Sequence, residues 1–118
     1  FYMIHRLFHT KYLYKFHKIH HEYKRPLGFT AAYAHPIDYI FGNMIPLGLM
    51  PFILGSDIYT TNIFISFVLY NTIIVDHTYQ KEYKHHQLHH KYFKYNYGSS
   101  DLDKLCNTYI DSKFGIKD

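Results

Sequence analysis

The chain has 118 residues, a net charge of +4, eleven histidines and a single cysteine, Cys106. That length allows one domain with a modest core, and a lone cysteine excludes both a disulfide framework and a Cys-rich zinc module. The positive charge invites a nucleic-acid reading, but Pro26 to Gln80 holds no Lys or Arg and no recognition motif is present, so no nucleic-acid partner is expected.

The chain opens on Phe1 inside an already patterned segment, and is therefore expected to be the C-terminal portion of a longer protein. No apolar stretch ahead of a small-residue cleavage site marks a secretory leader. The first pattern is HRLFH (His5, His9) followed by HKIHH (His17, His20, His21), with Leu7, Phe8, Leu13, Phe16 and Ile19 interleaved. This alternation at helical spacing distinguishes it from a solvated His-rich loop. Next come two uncharged runs of eighteen residues, Tyr39 to Ser56 and Ile58 to Val75, separated only by Asp57. Each lies near the lower end of the ~17–25 residues that span a bilayer.

The first run carries Pro46, Pro51 and three glycines and should be kinked. The second contains Asn62 and Asn71, whose amides should seek a neighbouring helix. Two core helices of a soluble protein would have similar lengths, but neither run has a polar face. All thirteen Lys and Arg residues lie outside the pair, in Arg6 to Arg25 and Lys81 to Lys117. That distribution predicts an integral-membrane hairpin over about residues 37–75, with both flanks cytosolic. A hairpin returns the chain to the face it left, so the flanks can meet.

After the hairpin come His77 and KHHQLHH, which contains His85, His86, His89 and His90. H-x2-HH thus occurs once on each side. On a helix, residues four apart lie about 40° from each other around the axis and residues three apart about 60°. His17, His20 and His21 therefore share an arc of roughly 100°, as do His86, His89 and His90, with His85 at the edge as a neighbour rather than a ligand. Eight to ten imidazoles exceed what one ion needs and suit two. An all-α fold with cytosolic His-bearing helices around a two-metal site follows. Glu82-x-x-His85 has the spacing of a carboxylate-bridged di-iron motif but lacks a second copy, and no HExxH motif is present. Tyr12, Tyr14, Phe16, Tyr92 and Phe93 are expected at the membrane interface or in the core. The competing class is a non-enzymatic His-rich membrane protein that binds zinc. A pH-sensing stack of histidines would not need the duplicated spacing.

The series HRLFH, HKIHH, Asp76-His77 and HHQLHH resembles the fatty acid hydroxylase/sterol desaturase superfamily, and within it the 4-methyl sterol oxidases. RPLGFTAAYAHPIDYIFGN, Arg25 to Asn43, keeps that group's order of Pro-x-Gly, Tyr-Ala-His-Pro and Gly-Asn, while NYGS (Asn96 to Ser99) and LDKL (Leu102 to Leu105) match its later motifs. The likeness runs over nearly the whole chain, 1–118, read as one hydroxylase-like domain. It implies metal ligation by His5, His9, His17, His20, His21, His86, His89 and His90, with His77 and His35 as further site histidines. It also implies two iron ions, zinc being a substitute, and dioxygen as oxidant. Electrons would come from NAD(P)H through a membrane electron-transfer partner. The substrate would be a lipid, either a sterol methyl group or a fatty acyl chain, and the location the endoplasmic reticulum membrane of a eukaryote. An inactive relative that keeps the fold is the alternative. A homodimer covering the flank that one hairpin leaves open is a further expectation. Only eight residues separate His77 from His86, where the group has a longer loop; Asn107-Thr108 replaces its usual Gly-Thr, and Asp38 a Glu.

Overall fold

The computed structural model describes residues 1–78, 84–111 and 113, and among these it is entirely helical, with no strand. Helix α1 (Tyr2–Phe8) carries His5, and His9 follows as its C-cap. Helix α2 (Tyr14–His17) is a single turn, and after two residues of helical backbone the chain tightens into a 3-10 turn at His20–Glu22. The arc expected for the second histidine group is therefore built from two short helical pieces rather than one rod. A second 3-10 turn, Gly28–Ala32, leads to α3 (Pro36–Asp38). Pro36 is at home there, because the first turn of a helix has no use for its missing N–H.

The first apolar run is irregular, as its prolines and glycines require. From α3 the backbone widens into a π-helix over Tyr39–Met44, then continues as α4 (Ile45–Ile53), with Pro46 in the first turn and Pro51 inside. The second run is straighter. Asp57 caps α5 (Ile58–Tyr70) by accepting hydrogen bonds from the N–H groups of Tyr59 at 2.8 Å and Thr60 at 3.1 Å. The helix then runs on as a π-helix over Asn71–Asp76. Residues 58–76 form the one helix, among the described residues, that is long and apolar enough to cross a membrane. At about 1.5 Å per residue it is about 28 Å long, close to the hydrocarbon thickness of ~30 Å. Two such helices were expected. The first run falls short because its helix ends at Ile53, before the run does, and is pieced together from the π-helix and the nine-residue α4. Asn62 and Asn71 do not reach for a neighbouring helix either: each donates to the carbonyl four residues back, Ile58 and Phe67, at 2.8 Å.

Helix α4 packs against α5, and the Gly28–Ala32 turn against Asn71–Asp76. The second contact brings the segment after the first histidine groups alongside the helix end that delivers His77. Helices α6 (His85–Tyr92) and α7 (Ser100–Leu105) complete the fold. Most of the connection between His77 and α6, including Glu82, lies outside the described residues, as does most of the segment after Asp111.

Burial is inverted relative to a water-soluble domain. Among the described residues the buried apolar side chains include Tyr2, Phe8, Leu88 and Tyr97, whereas eight histidines, Asp38, Asp103 and Asn96 are interior. No residue of α5 is buried, and Phe52, Ile63 and Phe67 are exposed. Contiguous apolar surface on this scale marks a face made for lipid or for another protein.

Candidate metal centre

Two groups of histidines, one of five and one of four, converge among the described residues. His5, His9, His17, His21 and His89 bring one ring nitrogen each to within 4.8 Å of one another; His20, His77, His86 and His90 do the same. The H-x2-HH copies divide in a regular way. In the first, the i, i+4 pair His17 and His21 enters the five-histidine cluster and His20 the other. In the second, the i, i+4 pair His86 and His90 enters the four-histidine cluster and His89 the other. Residues four apart project from one face, while the residue between them is turned about 60–100° aside. Each box therefore serves both clusters, and the two boxes interlock. The clusters are neighbours, with His21 and His90 ring centroids 4.6 Å apart.

Second contacts fix which nitrogen faces inward. His5 Nδ1–H donates to the Tyr97 carbonyl at 2.6 Å and His89 Nδ1–H to the Tyr95 carbonyl at 2.6 Å. His77 Nδ1–H donates to the Thr72 carbonyl at 2.7 Å and His20 Nδ1–H to the Tyr33 carbonyl at 3.3 Å. His17 Nδ1–H donates to Asp38 Oδ2 at 2.7 Å. Carbonyl and carboxylate oxygens only accept, so each Nδ1 carries the proton and each Nε2 of a neutral ring presents a lone pair.

Those lone pairs point at one another. Nε2 of His5 lies 3.1 Å from that of His17, and Nε2 of His21 lies 3.1 Å from those of His9 and His17 and 3.2 Å from that of His89. One proton on His21 cannot serve three neighbours. In the second cluster, Nε2 of His77 and both ring nitrogens of His90 are buried without a protein partner. Protonation is no remedy. Burial first, then the neighbouring imidazoles, pushes His5, His20, His21, His86, His89 and His90 below the ordinary histidine value and His9 down to about 3. Burial likewise lowers His77, against its hydrogen bond to Thr72. A metal ion would resolve the conflict. Imidazoles at about 2.0–2.1 Å from a shared ion stand roughly 3–4 Å apart, which is the spacing present.

His35 stands outside both clusters: its Nδ1 accepts the Ile37 N–H at the start of α3, and its ring packs on Phe16 at 4.9 Å. His85 also turns away, placing Nε2 2.9 Å from Asp103 Oδ2. Of the aromatic residues singled out in the sequence, Tyr14 packs on His9 at 5.7 Å and Phe93 on His21 at 4.9 Å, while Tyr12 is exposed. Asp38 was visible in the sequence only as a departure from a motif. Its role as the carboxylate behind His17 depends on the fold, because 21 residues separate the two.

A family model for fatty acid hydroxylases matches residues 1–108. The chain is 36% identical over 114 residues to fatty acid hydroxylase domain-containing protein 2 of Homo sapiens, covering 92% of this chain and 34% of that protein. It is 34% identical over 116 residues to C-4 methylsterol oxidase erg25 of Schizosaccharomyces pombe, covering 84% of this chain and 39% of that protein. It is 29% identical over 112 residues to fatty acid hydroxylase ahd1 of Mycosarcoma maydis, covering 86% of this chain and 28% of that protein. The chain thus spans well under half the length of these relatives. No solved structure matches it.

Proposed function

The chain belongs to the fatty acid hydroxylase family, and from that premise we propose that it forms the di-metal centre of a membrane oxygenase acting on a lipid. The substrate is a sterol methyl group or a fatty acyl chain, and the reaction inserts oxygen into an unactivated carbon–hydrogen bond. His5, His9, His17, His21 and His89 would hold one ion, and His20, His77, His86 and His90 the other. Two irons bound there would supply dioxygen activation, with electrons from NAD(P)H through a membrane redox partner. Imidazole also accepts zinc, so ligand type alone does not select the metal.

The chain's own residues do the rest. The Tyr95, Tyr97, Thr72 and Tyr33 carbonyls and the Asp38 carboxylate keep the imidazoles aimed and neutral. Burial keeps water from the centre, which favours oxidation of substrate over side reactions. The apolar outer faces of α4 and α5 sit in the bilayer, the solvent in which such a substrate is dissolved. The Lys-rich flanks lie on the cytosolic side, in a eukaryote at the endoplasmic reticulum.

The observation that carries this reading is the convergence of imidazole Nε2 atoms at 3.1–3.2 Å, those of His5, His17 and His89 left without a proton by their outer hydrogen bonds, an arrangement that a bound cation relieves. The test is metal analysis of the intact protein purified in detergent, beside lipid profiles of cells with and without it. Two ions per chain and one accumulating lipid substrate in the deficient cells are expected. Two tightly bound zinc ions with an unchanged lipid profile would favour the non-enzymatic metal-binding alternative.

A further inference from the structure

Two buried polar residues after α6, Asn96 and Asp103, hydrogen-bond to groups other than the clustered imidazoles, and every polar atom of their side chains is engaged. Asp103 Oδ1 accepts the Tyr97 N–H at 2.9 Å and the Thr108 hydroxyl at 2.8 Å. Its Oδ2 accepts the Gly98 N–H at 3.0 Å and lies 2.9 Å from His85 Nε2. Asn96 donates through Nδ2 to the carbonyls of His85 and Ile110, each at 3.0 Å, and accepts the Ile110 N–H at 2.8 Å. Its backbone N–H donates to the Thr108 carbonyl at 2.7 Å. Both residues are fully buried. A carboxylate accepting from this many groups is costly to bury and hard to move, so it defines the position of whatever it holds.

What it holds is the short segment Tyr95–Tyr97. Asn96 sits there at φ +58°, a left-handed backbone that asparagine tolerates better than most residues. The carbonyls on either side of it receive Nδ1–H groups from two different helices: Tyr95 from His89 on α6, Tyr97 from His5 on α1. Both histidines belong to the five-histidine cluster, and neither belongs to the other. The adjoining Gly98 leaves room for Tyr2 of α1, whose ring and Cβ would stand 3.0 Å from a Cβ at position 98. Tyr2 in turn shares a 2.8 Å hydrogen bond with Thr108. The segment thus registers α1 against α6 at the point where each offers an imidazole to the same ion.

We propose that Asp103 and Asn96 are positioning residues for one of the two metals: they fix the Tyr95 and Tyr97 carbonyls that set the tautomer and aim of His89 and His5. The assignment rests on the di-metal reading above. It makes an asymmetric prediction that a merely stabilising role does not. Loosening this clamp empties the five-histidine cluster and spares the four-histidine cluster, whose outer hydrogen bonds come from Thr72 and Tyr33.

The experiment uses the intact protein in detergent, with Asp103→Asn and Asn96→Gly as test variants and Thr108→Val as control. Asp103→Asn places an amide N–H against backbone N–H donors. Asn96→Gly keeps the left-handed backbone and removes the side-chain anchors. Thr108→Val weakens the same hub while leaving both carbonyls attached. Metal per chain and chelator-competition affinities are measured for each, together with the spectrum of the cobalt-substituted protein. The expected result is two ions in the parent chain and in Thr108→Val. In both test variants one ion binds about 10–100-fold more weakly, the usual cost of losing an outer partner, and only one cobalt signal changes. Loss of both ions together, or retention of both at parental affinity, overturns the proposal while leaving the di-metal reading intact. A parent chain that binds no pair of ions removes the premise, and the proposal with it. Should Asp103→Asn fail to fold, Asn96→Gly alone decides between these outcomes.

Discussion

Gly42 and Asp38 lie one helical turn apart, and a Cβ added at Gly42 would stand only 2.7 Å from Asp38 Oδ1. The other oxygen of that carboxylate holds His17. The π-helix that begins at Tyr39 and the missing side chain at position 42 together let Asp38 tuck beneath the cluster. Wide helical turns of this kind recur beside functional sites.

Gly42→Ala should therefore act on the metal rather than on the helix. Alanine is by itself a better helix former by about 1 kcal/mol, so a stability loss from propensity is not expected. Displacement of the carboxylate should weaken the ion bound through His17 by about 10–100-fold, as Asp38→Ala should. Asp38→Asn should do less, because an amide oxygen still accepts from His17 Nδ1. Chelator titration of the purified protein measures all three. Unaltered affinity in Gly42→Ala would show that Asp38 has room to retreat without releasing His17.

Single replacements should separate the clusters. His89→Ala removes a donor from the five-histidine group and His20→Ala one from the four-histidine group, so each should lose one ion first and most of the lipid oxidation. His35→Ala should keep both ions, because His35 serves the start of α3. Its loss should cost about 0.5–2 kcal/mol, the range for a helix cap. Metal counts beside thermal melts distinguish the two kinds of effect. Loss of an ion from His35→Ala would return that residue to the site.

Acid should unfold the metal-free protein unusually early. Its buried histidines have folded values below 6.5, and His9 is as low as about 3. Below pH 6.5 the unfolded chain binds protons that the folded chain refuses, so stability is fully present above that pH and falls as the pH drops. Each such histidine costs up to about 1.4 kcal/mol per pH unit until its folded value is reached. Circular-dichroism melts between pH 8 and pH 5 should show this loss, and added metal should move it to lower pH. A pH-independent melt of the metal-free chain would mean that these rings reach water.

Part of this centre is legible in the sequence. His86, His89 and His90 fall on one helix, so their spacing translates directly into one arc, with His86 and His90 aimed together and His89 aside. The all-helical class follows from the same spacing and from the two apolar runs. The division of labour does not follow. His20 and His21 are adjacent in sequence yet serve different clusters, a choice made by the 3-10 turn at His20–Glu22 and by partners more than fifty residues away. Nor does sequence reveal the outer partners, since Tyr95 and Tyr97 act through carbonyls that every residue possesses. Asn107 is an instructive case. It stands where the resembling group has glycine, and its φ of +55° shows the left-handed backbone that either residue can satisfy.

The remaining prediction concerns the bilayer. Residues 58–76 are apolar and unburied, and Ser56 lies at the tip between α4 and α5, whereas Ser99 lies just ahead of α7 on the histidine side of the chain. If α4 and α5 enter the membrane as a pair, the absence of Lys and Arg between Pro26 and Gln80 should leave the tip free to cross while the basic flanks stay behind. Cysteines placed at Ser56 and Ser99, in a chain with Cys106→Ser, should then react with impermeant reagents from opposite sides of sealed vesicles. Ile63→Lys sharpens the test. Ile63 is 72% exposed and lies within the apolar helix 58–76, so lysine there is harmless in water but carries part of the cost of about 2.5–3.5 kcal/mol that it has at the centre of a membrane helix. Opposite-side labelling together with poor membrane retention of Ile63→Lys is the expected outcome. Same-side labelling with unaffected retention would place the α4–α5 pair at the membrane surface, with its apolar face covered by another protein rather than by lipid.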